Sequence, residues 1–299
     1  MVGRVGDAAQ SYRVAATMQQ IQGRIRDTQT SISSGKAAER YADMPGTTGV
    51  LVRAQGERTQ ANAFIAQNEQ LLDRLQTTDG ALGAIGDIAE RMRSLLVNRL
   101  DAATGGSVPL DSEVDSALEE IESRLNLKVD GRYVFGGSRA DSPPVELPAT
   151  PITAADPSLY YRGDSIVPTA RIARDTELDH ALTAADGSFA QLIAALGQAR
   201  EAHLSGDQAG LESALTDLTA AIDGIADLRG QVGAKAARLE TVTEGQRSTV
   251  LYLDETVDRL EATDLAAAVS RLAQDQANLE ATYMTVSRLS SLSLADYLR

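Results

Sequence analysis

The residues able to do chemistry are few and scattered. His180 and His203 are the two histidines, and Cys is absent. Neither His has a second His at ligand spacing, which disfavours a metal centre. Glu119-Glu120 falls in a helical pattern where adjacent side chains diverge, so a solvated helix face outweighs acid/base work. Gly105-Gly106 and Gly136-Gly137 lack the Lys-Ser/Thr and the strand-to-helix setting of a phosphate loop. No G-x-S-x-G occurs, and no nucleophile has a base nearby in sequence. The residues therefore predict no catalytic set, no cofactor and no metal, and the chain is read as a non-enzyme.

What the sequence offers instead is pattern. Over Thr263 to Arg299, Leu265, Val269, Leu272, Gln276, Leu279, Tyr283 and Val286 recur at alternating steps of four and three. That is one narrow seam on a helix, as in a coiled coil. Asp264 is placed to cap its start. A seam of this kind needs a partner, and Val14, Met18, Ile21, Ile25, Thr28 and Ile32 carry the same spacing near the other end. The two chain ends are expected to pack together.

Between them lie further helices. The first, about 5–38, ends at Ser33-Ser34-Gly35-Lys36 with Gly35 at the position just past the last turn. Pro45-Gly46 breaks the pattern before a long helix at about 48–102, with a seam at Leu71, Leu75, Thr78, Leu82, Ile85, Ala89, Met92 and Leu96. Gly80, Gly83 and Gly86 weaken it by about 1 kcal/mol each relative to Ala, a cost that close approach of a neighbouring helix would offset. Thr104-Gly105-Gly106-Ser107 reads as a turn, then Asp111 to about Val129 as a helix. Helix resumes at Ser188 to about Leu204 and restarts near Asp207. From Leu211 to Leu260 the seam holds for seven heptads, roughly 80 Å of helix at about 1.5 Å per residue. Its phase breaks at Glu261-Ala262-Thr263-Asp264.

Five of the eight prolines fall between Pro143 and Pro157. Here short β-formers replace helical periodicity, with Tyr160-Tyr161, Ser165-Ile166-Val167 and Ala170-Arg171-Ile172-Ala173 as the expected strands. The predicted fold is mainly α: an elongated, nested, antiparallel helical coiled-coil rod with both termini paired and a small β-containing domain at its distal tip. The expected domains are 1–40 with 262–299 (terminal coiled coil), 41–130 with 188–261 (helical rod) and 131–187 (β-rich).

Composition agrees. Aromatics make up 4 % and Trp is absent, which suits narrow aliphatic bundles better than a globular enzyme core. A formal charge of −14 without any basic run argues against nucleic acid. No apolar run has transmembrane length, and the first residues lack the apolar stretch of a cleaved secretory signal. Lack of Cys fits any compartment, including export unfolded through a channel.

Several segments resemble one family. Ile32-Ser33-Ser34-Gly35-Lys36 with Ala42-Asp43-Met44-Pro45 is similar to the I-S-S/T-G-K…D-D-P segment of the flagellin superfamily, Met44 standing where the second Asp would be. Asn68 to Leu82 resembles the N-x-x-L-x-x-L-Q stretch that follows it. Asn126 to Gly137, Tyr161-Arg162-Gly163-Asp164, Leu228 to Leu239 and Ser293 to Leu298 resemble the branch that joins hook to filament. The matches run in order through nearly the whole chain.

The resemblance implies a structural, self-assembling subunit of the bacterial flagellum. It would leave the cell unfolded through the flagellar type III apparatus, without a cleaved signal peptide, and assemble outside it. It would form a homo-oligomeric ring between neighbouring hook-associated and flagellin subunits, with no membrane insertion. An export chaperone would hold the C-terminal helix, about Asp264 to Arg299. The assembly seam would be Val14, Met18, Ile21, Ile25, Leu265, Val269, Leu272, Leu279, Tyr283, Val286 and Leu289, and the family turn Ser34, Gly35, Lys36, Asp43 and Pro45. Arg91 and Leu95 align with the flagellin helix read by an innate-immune receptor, against a plain reading as surface residues. The alternatives are a minor filament flagellin and, from a different class, a cytoplasmic coiled-coil adaptor or signalling protein.

Overall fold

The computed structural model describes residues 2–37, 46–101 and 109–297, with side chains for 12–37, 46–101 and 109–288. Six helices carry it: α1 (Val2–Ser34), α2 (Thr48–Leu100), α3 (Leu110–Leu125), α4 (Gly187–Ser205), α5 (Gln208–Glu261) and α6 (Leu265–Tyr297). Four short strands, β1 (Lys128–Val129), β2 (Arg132–Tyr133), β3 (Thr169–Ala173) and β4 (Thr176–Asp179), form two antiparallel pairs, β1-β2 and β3-β4. The fold is mainly α, as the periodicity predicts. Two compact units divide the chain: residues 1–60 with 249–299, and residues 61–248.

In the 61–248 unit the seams read from sequence become its core. Leu71, Leu75, Thr78, Leu82, Ile85, Ala89, Met92 and Leu96 of α2 are all buried. They meet Leu211, Leu218, Ile225, Val232 and Leu239 of α5 in one continuous cluster that also takes in α3 and α4. Burying a Leu-sized side chain contributes about 1.5–3 kcal/mol. Helix α4 is capped at both ends: the Asp186 carboxylate accepts from Ser188 N–H at 2.9 Å, and Gly206 closes the helix in the left-handed region. Gly83 does not bring two backbones together, as the sequence suggested. A Cβ there would touch the Arg229 guanidinium, which lies across the glycine and pairs with Asp79 one turn earlier at 3.2 Å. No group sits within contact range of a Cβ at Gly80.

The irregular region departs from the predicted strands. Helix α3 stops at Leu125 rather than near Val129, because Asn126 leaves the helix to exchange two hydrogen bonds with the Val145 backbone at 2.8 and 3.0 Å. Asp130 and Gly131 both have positive φ and close a two-residue turn between β1 and β2, the conformation that favours Asp-Gly. Tyr161 makes only an isolated bridge to Val145, Tyr160 ends a short 3-10 turn, and Ser165-Ile166-Val167 is not a strand. Ala170 to Ala173 does lie in β3.

Asp164 is the reason these loops do not need strands. Its carboxylate accepts from Ser138 N–H at 2.8 Å, from the Ser138 hydroxyl and from Ile166 N–H at 3.1 Å. These bonds, the Ser138 hydroxyl foremost, hold the Asp164 carboxyl below its usual range. Gly137 has positive φ, and any Cβ on it would collide with Asp164. Tyr160 is buried and donates to Ala184 O at 2.9 Å, while Phe135 stacks edge-on to Phe189. The Gly136-Gly137 and Tyr161 to Asp164 motifs are thus two halves of one tie.

Candidate assembly interface

Within the 1–60/249–299 unit the two terminal helices pack on each other, as the shared spacing predicts. On α1, Ile21 is buried and Val14, Met18, Ile25, Thr28 and Ile32 are half-buried, so this face is the one read from sequence. On α6 the covered row is Ala268, Leu272, Asp275, Leu279 and Thr282. It repeats at four and three but lies less than a quarter-turn away from the row that Leu265, Val269, Gln276 and Tyr283 define. Leu272 and Leu279 belong to both. Leu265 and Val269 remain 53 % exposed, Tyr283 49 % and Val286 37 %. Helix α6 therefore carries two adjacent rows, a mixed one covered by α1 and a more apolar one left largely exposed.

Polar contacts fix the register. Arg24 grips the Asp275 carboxylate with two nitrogens, the shorter contact 2.7 Å, and Gln22 Nε2 donates to the Tyr283 hydroxyl at 3.1 Å. The Arg24 hydrogen bond holds the Asp275 carboxyl below its ordinary range. Small residues on α6, Ala281, Thr282 and Thr285, leave a groove of about 520 Å³ against Val14, Thr17 and Ile21.

The connectors bind each other too. Ala37 N–H donates to Glu261 O at 2.7 Å, Thr263 N–H to Gly35 O at 2.9 Å, and Lys36 Nζ lies 2.8 Å from Glu261. Gly35 adopts the positive φ expected of it, and the Asp264 carboxylate accepts from Ala267 N–H at 3.0 Å as the cap of α6. Ser34 contributes its hydroxyl as acceptor for Lys36 N–H. Asp43, Pro45 and the Thr104 to Ser107 turn lie outside the described residues, as does the Leu289 side chain.

Beside this pair, α2 and α5 share a small core of Leu51, Ala54, Leu253 and Val257, flanked by Arg58–Asp254 at 2.9 Å. Val50, Val52, Leu251 and Tyr252 stay exposed around it. The sequence reading missed Leu251-Tyr252. Two large apolar residues out of phase with an otherwise regular seam were the available signal.

The remaining sites of interest lie in the 61–248 unit. Arg91 pairs with Glu120 of α3 at 3.0 Å, both half-exposed, while Leu95 is half-buried against the main core. His203 Nδ1 accepts from Arg99 at 2.9 Å. His180 is half-buried beside Arg74 and Lys235, and burial first, then those cations, push its pKa down to about 4. Among the described residues no helix is long and apolar enough to cross a membrane.

Comparison with known proteins adds two kinds of likeness. The family model for the bacterial flagellin N-terminal helical region matches residues 7–140, and that for the flagellin C-terminal helical region matches residues 215–298. The fold is similar to that of a putative flagellar hook-associated protein from Vibrio parahaemolyticus, with a TM-score of 0.60 and 16 % identity over 73 % of this chain and 99 % of that one. It is also similar to FlgL from Bacillus cereus, with a TM-score of 0.52 and 22 % identity over 64 % of this chain and 98 % of that one. Sequence comparison with curated proteins gave no match.

Proposed function

Because the chain belongs to the bacterial flagellin family and is a structural subunit of the flagellum, we propose that it joins hook to filament as a ring of identical copies. The observation that carries this reading is the open row on α6. Leu265, Val269 and Val286 repeat with the spacing of a seam yet stay exposed, and Tyr283 among them keeps an exposed ring although its hydroxyl accepts from Gln22. A coiled-coil row of this kind gains its stabilisation only when another helix closes it. A second copy, offset along the array, supplies such a helix, and head-to-tail contacts of this type generate rings or helices rather than closed dimers.

In this reading residues 1–40 and 262–299 form the assembly segment, 41–130 and 188–261 the helical scaffold, and 131–187 the solvent-facing part. The subunit is exported unfolded, an export chaperone covers about 264–299 beforehand, and the ring contacts hook-associated and flagellin subunits outside the cell. The fold likeness to hook-associated structures supports the junction over a minor filament flagellin. Burying the α6 row at assembly defers its ordering cost to that step.

Deleting the gene and imaging cells and medium by electron microscopy tests the proposal. Bare hooks with filament subunits shed into the medium are expected. Normal or merely shortened filaments would favour the minor-flagellin role, and unchanged flagella would remove both.

A further inference from the structure

In the 61–248 unit, a cleft of about 320 Å³ opens between α2 and α5. Asn68, Glu69 and Leu72 line one side, and Glu240, Thr243, Glu244 and Arg247 the other. Its floor holds an acceptor with nothing to accept from. Asn68 is fully buried, its Nδ2 donates to Ile172 O at 3.0 Å and to Gln246 Oε1 at 3.1 Å, and its Oδ1 has no partner. Turning the amide over would set Oδ1 against the Ile172 carbonyl, so its neighbours fix the orientation. Neither Ile172 nor Gln246 lines the cleft, whereas Asn68 does.

The rest of the lining asks for the same kind of guest. The Thr243 hydroxyl commits its proton to Leu239 O at 2.8 Å and offers only lone pairs to the cleft. Glu69 and Glu244 share Arg247, at 2.7 and 3.5 Å, and no pairing for Glu240 is seen among the described residues. Three carboxylates and one guanidinium thus line the cleft. Among the described residues no three His, Cys, Asp or Glu side chains converge to hold a metal ion. Half-buried Leu72 adds an apolar wall.

From this set we propose that the cleft binds a cationic N–H donor on an aliphatic stem, a guanidinium or an alkylammonium. The stem lies along Leu72, and the donor hydrogens are shared between Glu240 and Asn68 Oδ1. Arg247 is the gate. Asn68 Oδ1 is closed to solvent, and Arg247, which spans Glu69 and Glu244, is half-exposed on a long flexible stem. When it swings away, the incoming cation takes its place beside Glu240, so the charge inside the cleft stays balanced and one new bond to Asn68 is gained.

The same group is carried by an arginine of a neighbouring subunit and by free small amines. The test uses the monomeric full-length chain, ¹⁵N-labelled, following the Asn68 side-chain amide resonance. Titration with n-butylguanidinium chloride is expected to shift it saturably. Tetramethylammonium chloride at equal ionic strength, a cation without N–H, is expected to leave it in place. Glu240→Gln, an exposed change that spares the Asn68 clamp, should weaken the response at least tenfold. A resonance unmoved by butylguanidinium, equal responses to both salts, or full binding by Glu240→Gln each overturns the proposal. In assembled protein, retained uptake of butylguanidinium identifies a free amine as the guest. Sites closed to it, with assembly weakened by Glu240→Gln, identify a neighbour's arginine. The monomer titration does not depend on the flagellar role, so the two readings fail separately.

Discussion

The two units of this chain are built from the same long helices and are finished to very different degrees. In residues 61–248, α2 and α5 enclose α3, α4 and the loops around one continuous apolar cluster. In residues 1–60 and 249–299, the same two helices share a core of four buried residues, and among the described residues the α1–α6 pair adds only Ile21 and Ala268 as buried apolar side chains. Most of the large apolar side chains left exposed also belong to this unit, among them Val52, Leu251, Tyr252, Val269, Tyr283 and Met284. The same seam chemistry gives a self-sufficient fold where a third and fourth helix complete it, and an open surface where two helices stand alone. Helix length does not substitute for burial: α1 and α6 have 33 residues each, yet isolated helical pairs draw their stability from what covers them.

Substitutions can break that contrast. Phe189→Ala removes a fully buried ring from the 61–248 core and should cost about 3–5 kcal/mol in denaturant unfolding. A loss below about 1 kcal/mol would mean the core there is loose. Leu279→Asp places a charge on the half-buried α1–α6 row and should loosen that pair, seen as faster amide exchange along α1, while the melting of the 61–248 unit stays unchanged.

Acid sharpens the comparison from another side. His180 has a folded pKa of about 4 against an ordinary 6.5, so the unfolded chain binds the extra proton first. Its contribution to stability is present above the unfolded value and is lost as pH falls from 6.5 through about 4. The 61–248 unit should therefore weaken over that window, and His180→Leu should flatten the weakening in melts taken from pH 7 to 4. Asp275, held low by Arg24, acts on the terminal pair instead: its contribution is lost only as pH falls below the ordinary carboxylate range.

The smallest effect on the monomer should come from the open row. Val269→Asp is expected to leave the monomer melting temperature within about 1 °C, since exposed substitutions stay within about 0.5 kcal/mol, yet to abolish incorporation into flagella. A large drop in melting temperature would show the row to be packed already within the monomer.

Much of this molecule was legible in the chain because helices are encoded by neighbours. The α2 and α5 seams, the cap at Asp264, the left-handed Gly35 and the boundaries of α4 all rest on interactions within a few residues, and periodicity or a single side chain suffices to specify them. The Asp130-Gly131 turn was equally local and was overlooked because a helix pattern ran into it. Tertiary structure alone decided the rest. Asp164 finds Ser138 across 26 residues and so holds Ile166 in a loop where β-propensity pointed to a strand. Asn68 meets Ile172 and Gln246, and Lys36 meets Glu261, over separations that no spacing rule spans. The choice between two adjacent rows on α6 was decided in the same way. Both rows satisfy the same three-four repeat, and which one α1 closes is set by tertiary contacts such as Arg24 opposite Asp275.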